Sequence, residues 1–164
     1  MDRAISNTSP LLYLHRIGSL AWVQTLFSEI WIPQAVVEEL REGARRGHDV
    51  PQPERLEGIS VVDPRFVPSE WLALDLGAGE LAAMALALEN PDRIVLLDDS
   101  LARRIGQAAG LKVWGTLRVL LEAKAKGLTD SVSPLLGRLE AAGMWMSQDI
   151  RERVLALAGE SPPD

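Results

Sequence analysis

Short runs of large aliphatic residues alternate along the chain with stretches in which apolar positions recur every three or four residues. The densest run is Ile94-Val95-Leu96-Leu97, followed at once by Asp98-Asp99-Ser100. Four consecutive aliphatic residues predict a strand covered on both faces, as in a parallel sheet flanked by helices. Ala4-Ile5-Ser6, Ile30-Trp31-Ile32, Ile59–Val62 and Lys112-Val113-Trp114 are the other strand segments. Ser9 as cap and Pro10 as first residue open a short helix that carries Leu11, Leu12, Leu14 and Ile17 and stops at Gly18. Ser19 caps a second helix, Leu20–Ser28. Pro33 opens a third that runs to about Arg46, with Val36, Val37, Leu40 and Ala44 on its apolar face. Residues 47–58 and 63–69 are polar and proline-containing loops, and Glu70–Leu74 makes one helical turn. Leu81–Leu88 is apolar all round and predicts a deeply buried helix. Further helices follow at Ser100–Ala109, Leu117–Lys126 (capped by Thr116), 130–142 and 148–158, with 160–164 as a frayed tail.

Strands alternating with helices at these spacings predict an α/β fold: three layers, α/β/α, around a mostly parallel sheet of about five strands. The length of 164 residues fits one domain, with residues 1–128 as its main part and 129–164 as a helical extension of it. Composition narrows the chemistry. Hydrophobic residues make up 47 % of the chain and aromatic ones only 5 %, so the core is aliphatic. No cysteine and two histidines argue against disulfides, thiolate catalysis and zinc. No apolar run has signal-peptide or membrane-spanning length, so the expectation is a cytoplasmic protein with no membrane contact. A net charge of −6 argues mildly against a duplex-DNA binder. Basic residues are nonetheless grouped, with Arg45 and Arg46 in one stretch and Arg103 and Arg104 in another.

Adjacent carboxylates at the end of a buried strand raise the cost of ionising both, and a cation would offset it. In open α/β sheets, ligands bind at the C-terminal ends of the strands. Asp98 and Asp99 therefore form one wall of a candidate metal site, although Asp99 or Ser100 could equally cap the next helix. Asn7 ends the first strand. Glu80 begins the buried helix, where it could ligate a metal or simply answer the helix dipole. In the helix opened by Pro33, Glu38 lies opposite the apolar face and Glu39 nearer its margin, within reach of a cleft or of a surface partner. Oxygen donors without His or Cys suit a hard ion, Mg²⁺ or Mn²⁺. Such an ion activates water and clamps phosphodiesters. No nucleophile elbow, P-loop or dinucleotide fingerprint is present.

The run Ile5-Ser6-Asn7-Thr8-Ser9-Pro10-Leu11-Leu12 resembles the start of PIN domains, in particular a prokaryotic branch that begins with Asn or Asp followed by Thr-Ser-Pro. Pro33–Leu40, Gly77-Ala-Gly-Glu80, Leu97–Arg104 and Gly110–Thr116 are similar to the same branch, as is the basic helix end Ala123–Gly127, and together they span roughly residues 3–128. The resemblance implies a Mg²⁺-dependent ribonuclease and, because many relatives are VapC-like toxins, a toxin–antitoxin module. Its implied metal and catalytic residues are Asn7 (where many PIN domains have Asp), Glu39, Glu80 and Asp99, with Asp98 beside them and Thr8 or Ser9 supporting the first. Arg45, Arg46, Arg103 and Arg104 are the expected RNA contacts. The implied partners are RNA, a small antitoxin protein and a second copy of the chain, with residues 129–164 free to serve the last two. Two alternatives stay open. One is a PIN-like RNA- or protein-binding module with weak catalysis, favoured by Asn7. The other is a receiver-like phosphatase using Asp98 or Asp99 as nucleophile.

The helical wheel generates a paired test. Glu39→Gln should cut RNA cleavage strongly, while Glu38→Gln leaves it nearly unchanged. Equal losses in a cleavage assay would mean that the helix is rotated from this reading.

Overall fold

The computed structural model describes residues 1–160; the last part of the expected tail, 161–164, lies outside them. Five strands, β1 (Arg3–Ser6), β2 (Glu29–Ile32), β3 (Ile59–Val61), β4 (Ile94–Leu96) and β5 (Lys112–Trp114), form one sheet in the order β3-β2-β1-β4-β5. Every neighbouring pair is parallel. The eight helices are α1 (Thr8–Arg16), α2 (Trp22–Leu26), α3 (Gln34–Arg45), α4 (Ala78–Glu89), α5 (Ser100–Ala108), α6 (Thr116–Ala125), α7 (Ser133–Ala141) and α8 (Gln148–Leu157). Three-residue and five-residue 3₁₀ turns, Pro53–Arg55 and Ser69–Ala73, interrupt the two long loops. The expected α/β class and layered parallel sheet are thus what the chain adopts.

The pleat sorts the core into two layers. Ala4, Ile30, Ile32, Ile94 and Leu96 project to one face, where side chains of α1, α2, α3, α6, α7 and α8 cover them. Ile5, Val95 and Leu97 project to the other, under α4, α5 and Trp71. Strand side chains alternate between faces, so a central strand covered on both is apolar at nearly every position. That is why β4 reads as an unbroken aliphatic run. Among the described residues, no helix is long and apolar enough to cross a membrane.

Several local expectations shift. α1 begins at Thr8 rather than after a Ser9 cap, so Asn7 takes the cap position with extended backbone. Pro10 is tolerated inside the first turn, where a helix does not require its missing N–H. α2 is only five residues long, because a turn from Ser19 to Ala21 precedes it. Ala44 is exposed, so the buried stripe of α3 is Val36, Val37 and Leu40. Gly115, not Thr116, caps α6, and Thr116 becomes its first residue.

The stretch from residue 129 packs into the same core, with Leu135, Leu136, Leu139 and Leu155 between zero and 5 % exposed. Glu160, expected in a frayed tail, instead closes this region. Its carboxylate accepts from the backbone N–H groups of Val132 (2.7 Å) and Ser133 (3.0 Å), the Ser131 hydroxyl (2.7 Å) and the Lys124 ammonium (3.0 Å). Burial pushes its pKa up, but those four donors more than reverse this and hold it at about 2.

A carboxylate whose folded pKa lies below its unfolded one stabilises the fold above the unfolded value and loses that effect as pH falls through the folded value. Glu160→Gln should therefore cost about 1.5–3 kcal/mol near neutral pH, the range for hydrogen bonds to a charged group. The gap in melting temperature between Glu160→Gln and wild type should narrow as pH falls from about 4.5 towards 2. A gap that is constant across that range would show that the carboxylate charge does not matter there.

Candidate active site

The sheet order reverses direction between β1 and β4, since β2 and β3 extend from one side of β1 and β5 extends from the other side of β4. Ser6 pairs with Leu96, and the Asn7 N–H donates to the Leu96 carbonyl at 3.1 Å. Asn7 and the Asp98-Asp99 pair thereby leave adjacent strand ends into one crevice, as expected at the switch point of an open α/β sheet.

Glu39, half-buried on α3, reaches into this crevice. Its Oε1 accepts from the Gly79 N–H at 2.8 Å, and its Oε2 accepts from the Thr8 hydroxyl at 2.6 Å. Glu38, one position back, is exposed, which matches the rotation inferred from the wheel. Thr8 is thus a support, but for Glu39 rather than for Asn7. Ser9 is half-buried on the crevice wall. The Gly79 position fixes how tightly these groups meet. A Cβ there would stand 2.7 Å from both Glu39 carboxylate oxygens and 2.9 Å from the Asn7 Oδ1. Only glycine lets α4 approach so closely.

Asn7 is 3 % exposed, and its Oδ1 is buried with no hydrogen-bond partner. An orphaned buried acceptor costs about 1–3 kcal/mol, and native proteins rarely leave one without a partner such as water or an ion.

Glu80 and Asp99 complete the acidic rim. The Glu80 Oε2 accepts from the Gly77 N–H at 2.9 Å in a capping arrangement, and the Asp99 Oδ1 accepts from the Ala102 N–H at 2.9 Å as the cap of α5. The capping role weighed for Asp99 and the helix-start role weighed for Glu80 are therefore both real. Each uses one oxygen and leaves the second oriented by the same bond, while both side chains still line the crevice. Burial pushes the Glu80 carboxyl up. The Gly77 N–H opposes this, while Asp99, Glu39 and Asp75 push it further up, so these acids share one electrostatic field.

Asp98 behaves differently. Its two oxygens accept from the Thr116 N–H and the Thr116 hydroxyl, both at 2.7 Å, and tie β4 to the start of α6. Burial raises its pKa, opposed by those Thr116 bonds and by Arg103. Asp98 is thereby an anchor for α6, with Thr116 the partner that a capping reading of position 116 overlooked.

Among the described residues, no three His, Cys, Asp or Glu side chains close into a cage. The convergent donors are the Asn7 amide oxygen and the Glu39 carboxylate, with Glu80 and Asp99 held at the rim by their backbone bonds. An orphaned amide oxygen beside carboxylate oxygens is the donor chemistry of a hard divalent ion. The residues present therefore fit such an ion.

From the rim a groove of about 650 Å³ runs along α6 and α8. Arg103, Arg118 and Arg153 line it. Arg103 stands by Asp98, its Nε buried without a partner. Arg104, next to it, is exposed. Arg45 and Arg46 lie at the far end of α3, each paired with Glu42, and are not part of the groove. Arg153 and Trp145, which the motifs did not single out, are.

A family model described as DUF3368, PIN domain, matches residues 3–160. The chain belongs to the PIN-domain family. The match continues past residue 128, where the quoted motifs end, and takes in α7 and α8. No curated protein and no solved structure matches the chain. PIN domains are typically nucleases that use divalent metal ions, and in this PIN domain the strand-end crevice holds the oxygen donors such chemistry needs.

The close approach at Gly79 generates a test. Gly79→Ala keeps an ordinary helical backbone but drives its methyl group into Glu39 and Asn7. It should destabilise the fold by about 1–3 kcal/mol in urea unfolding, as overpacking does. Unchanged stability would mean that Glu39 can swing clear and that α4 does not clamp it.

Proposed function

We propose that this PIN domain is a Mg²⁺- or Mn²⁺-dependent endoribonuclease, the VapC-like toxin of a toxin–antitoxin pair. The observation that carries the metal-dependent reading is the unpartnered, buried Oδ1 of Asn7 facing the Glu39 carboxylate across Gly79. The toxin assignment rests on the resemblance of the Asn-Thr-Ser-Pro start to that branch. Asn7, Glu39, Glu80 and Asp99 are the residues that would hold the ion. When bound, it would supply a water of lowered pKa and neutralise charge on the scissile phosphodiester.

The chain's own residues do the rest. Thr8 and the Gly79 N–H fix the Glu39 carboxylate, so it does not have to be ordered on binding. Gly77 and Ala102 do the same for Glu80 and Asp99. Asp98 holds α6 in place through Thr116, which sets the groove wall opposite the acids. Arg103, which lines the groove beside Asp98, orients a phosphate oxygen through its terminal guanidinium N–H groups, a task suited to its planar fork. Arg118 and Arg153 take phosphates further along the groove. Arg104 is available to a longer RNA, whereas Arg45 and Arg46 neutralise Glu42. Residues 129–160 belong to the same folding unit in this reading, supported by the Glu160 clasp and the shared core.

The second reading is a PIN-like binding module with weak catalysis. It is favoured by the amide at position 7, which brings an oxygen but no charge. One pair of measurements separates the two. Millimolar Mn²⁺ should raise the melting temperature by mass action on the native state, and Asp99→Asn should reduce both that rise and cleavage of single-stranded RNA. Asn7→Asp should lower stability without metal, through one more carboxylate among acids, and tighten metal binding. No response of wild type to Mn²⁺ would remove the metal site; a response without cleavage would establish the binding module.

A further inference from the structure

We propose that the segment joining α7 to α8 is a base-stacking platform, with Trp145 receiving an unpaired nucleobase and Arg153 and Arg118 its flanking phosphates. This rests on the nuclease reading and adds to it the part of the RNA that is recognised and the residues that recognise it.

Trp145 is 83 % exposed, the most exposed large hydrophobic residue in the described chain. Its placement follows from the local backbone. Gly143, at φ +108°, lets the chain turn out of α7, and the Met144 N–H closes back on the Leu139 carbonyl at 2.9 Å. Residues 144–147 belong to neither helix, and Ser147 at their end is extended. Exposure alternates along them: Met144 and Met146 are half-buried and pack on the core, while Trp145 between them turns out.

The segment is also held. Arg16 donates to the Ala142 carbonyl at 3.0 Å, Tyr13 reaches the Gly143 carbonyl at 3.5 Å, the Ser147 hydroxyl caps α8 through the Ile150 N–H at 3.2 Å, and Arg151 pairs with Glu140 across the corner. An exposed indole on a pinned loop loses little conformational freedom when something stacks on it.

Trp145 lines the same groove as Glu80 and Asp99, together with Arg103, Arg118 and Arg153. Arg153 has no ion-pair partner among the described residues. Arg118 lies 4.9 Å above the Trp114 ring and pairs with Glu122 from an exposed position. A groove that is acidic at one end, basic along one wall and aromatic at its mouth matches a phosphodiester at the acids, further phosphates along the wall and a base on the indole. Single-strand binders combine these elements: a basic track for the backbone and aromatic faces for bases. A duplex buries the faces of its bases in its own stack, so this platform selects unpaired nucleotides.

The test uses the full chain with Glu39→Gln to silence cleavage, titrated with a fluorescein-labelled single-stranded RNA octamer and read by anisotropy. Trp145→Ala should weaken binding about tenfold, within the range for removing one stacked base, and Trp145→Phe should restore most of it. An octamer lacking one base at the platform position should bind the parent about tenfold more weakly and bind Trp145→Ala with no further loss. Arg153→Gln should reduce the salt dependence of binding by about 0.7 in slope, the value for one phosphate of a single strand, while Trp145→Ala leaves the slope unchanged. Equal affinities of parent and Trp145→Ala would overturn the proposal. So would a Trp145→Ala variant that binds RNA normally but no longer forms dimers in sedimentation velocity, since the indole would then serve a protein partner. Cleavage by wild type is measured separately, so tight Trp145-dependent binding without cleavage would support the platform while removing the nuclease reading.

Discussion

The candidate active site depends on the seam between β1 and β4. Two parallel strands pair there through Ser6 and Leu96, and their continuations must diverge because the next strands lie on opposite sides. The Asn7 N–H to Leu96 carbonyl bond is the last rung before they part. The backbone donors of the helices that start there, α4, α5 and α6, face the space beyond it. Carboxylates are the side chains that satisfy such donors best, so Glu39, Glu80, Asp98 and Asp99 gather at this seam for reasons of folding as well as chemistry. Capping and ligation draw on the same oxygen-rich residue types. The outcome is a set of immobilised acids, Glu39 and Asp98 through both oxygens and Glu80 and Asp99 through one.

The same constraint explains what could be read from sequence. Rules that act along one element found the elements and their main faces, though not every cap or end: Asn7, not Ser9, precedes α1, and Ala44 is exposed. The unbroken aliphatic run marked β4 as buried on both faces, and the wheel separated exposed Glu38 from inward Glu39 within one helix. Distance across the fold is where reading along the chain failed. Thr116 looked like a cap because caps are local, yet its partner Asp98 is 18 residues away, just beyond the end of β4. Thr8 looked like support for its neighbour Asn7, yet it holds Glu39, 31 residues on. Glu160 looked like a tail because nothing nearby in sequence needs it. Its partners are on α6 and at the start of α7. Gly79 appeared within a motif, but only the packing of α4 against α3 shows why a side chain is excluded there. Arg103 and Arg45 are equivalent as members of basic runs, and only the fold separates one at the acid rim from one neutralised on a helix.

The two ends of the groove use different physics. The acidic end is built from short, fixed bonds in a confined space, where the Glu80 pKa responds to its neighbours. The open end is built from exposed long side chains, whose attraction to a phosphate would weaken as salt rises. A nucleic acid would meet the adaptable wall first and the rigid rim last. Approach and discrimination can then be tuned on α8 and the α7–α8 corner without disturbing the seam.

The clasp around Glu160 bears on how the molecule is born. A ribosome delivers residues from the N-terminus, and domains tend to assemble in that order. All five strands and the acid rim have been polymerised by residue 114, and Arg118 follows shortly after. The carboxylate that binds Lys124, Ser131, Val132 and Ser133 arrives only with residue 160. The wall formed by α8 and the α7–α8 corner, with Trp145 on it, is therefore secured later than the sheet and the acids. A nascent chain carries its acids well before it can present a finished groove, which Glu160 fastens once it has been added.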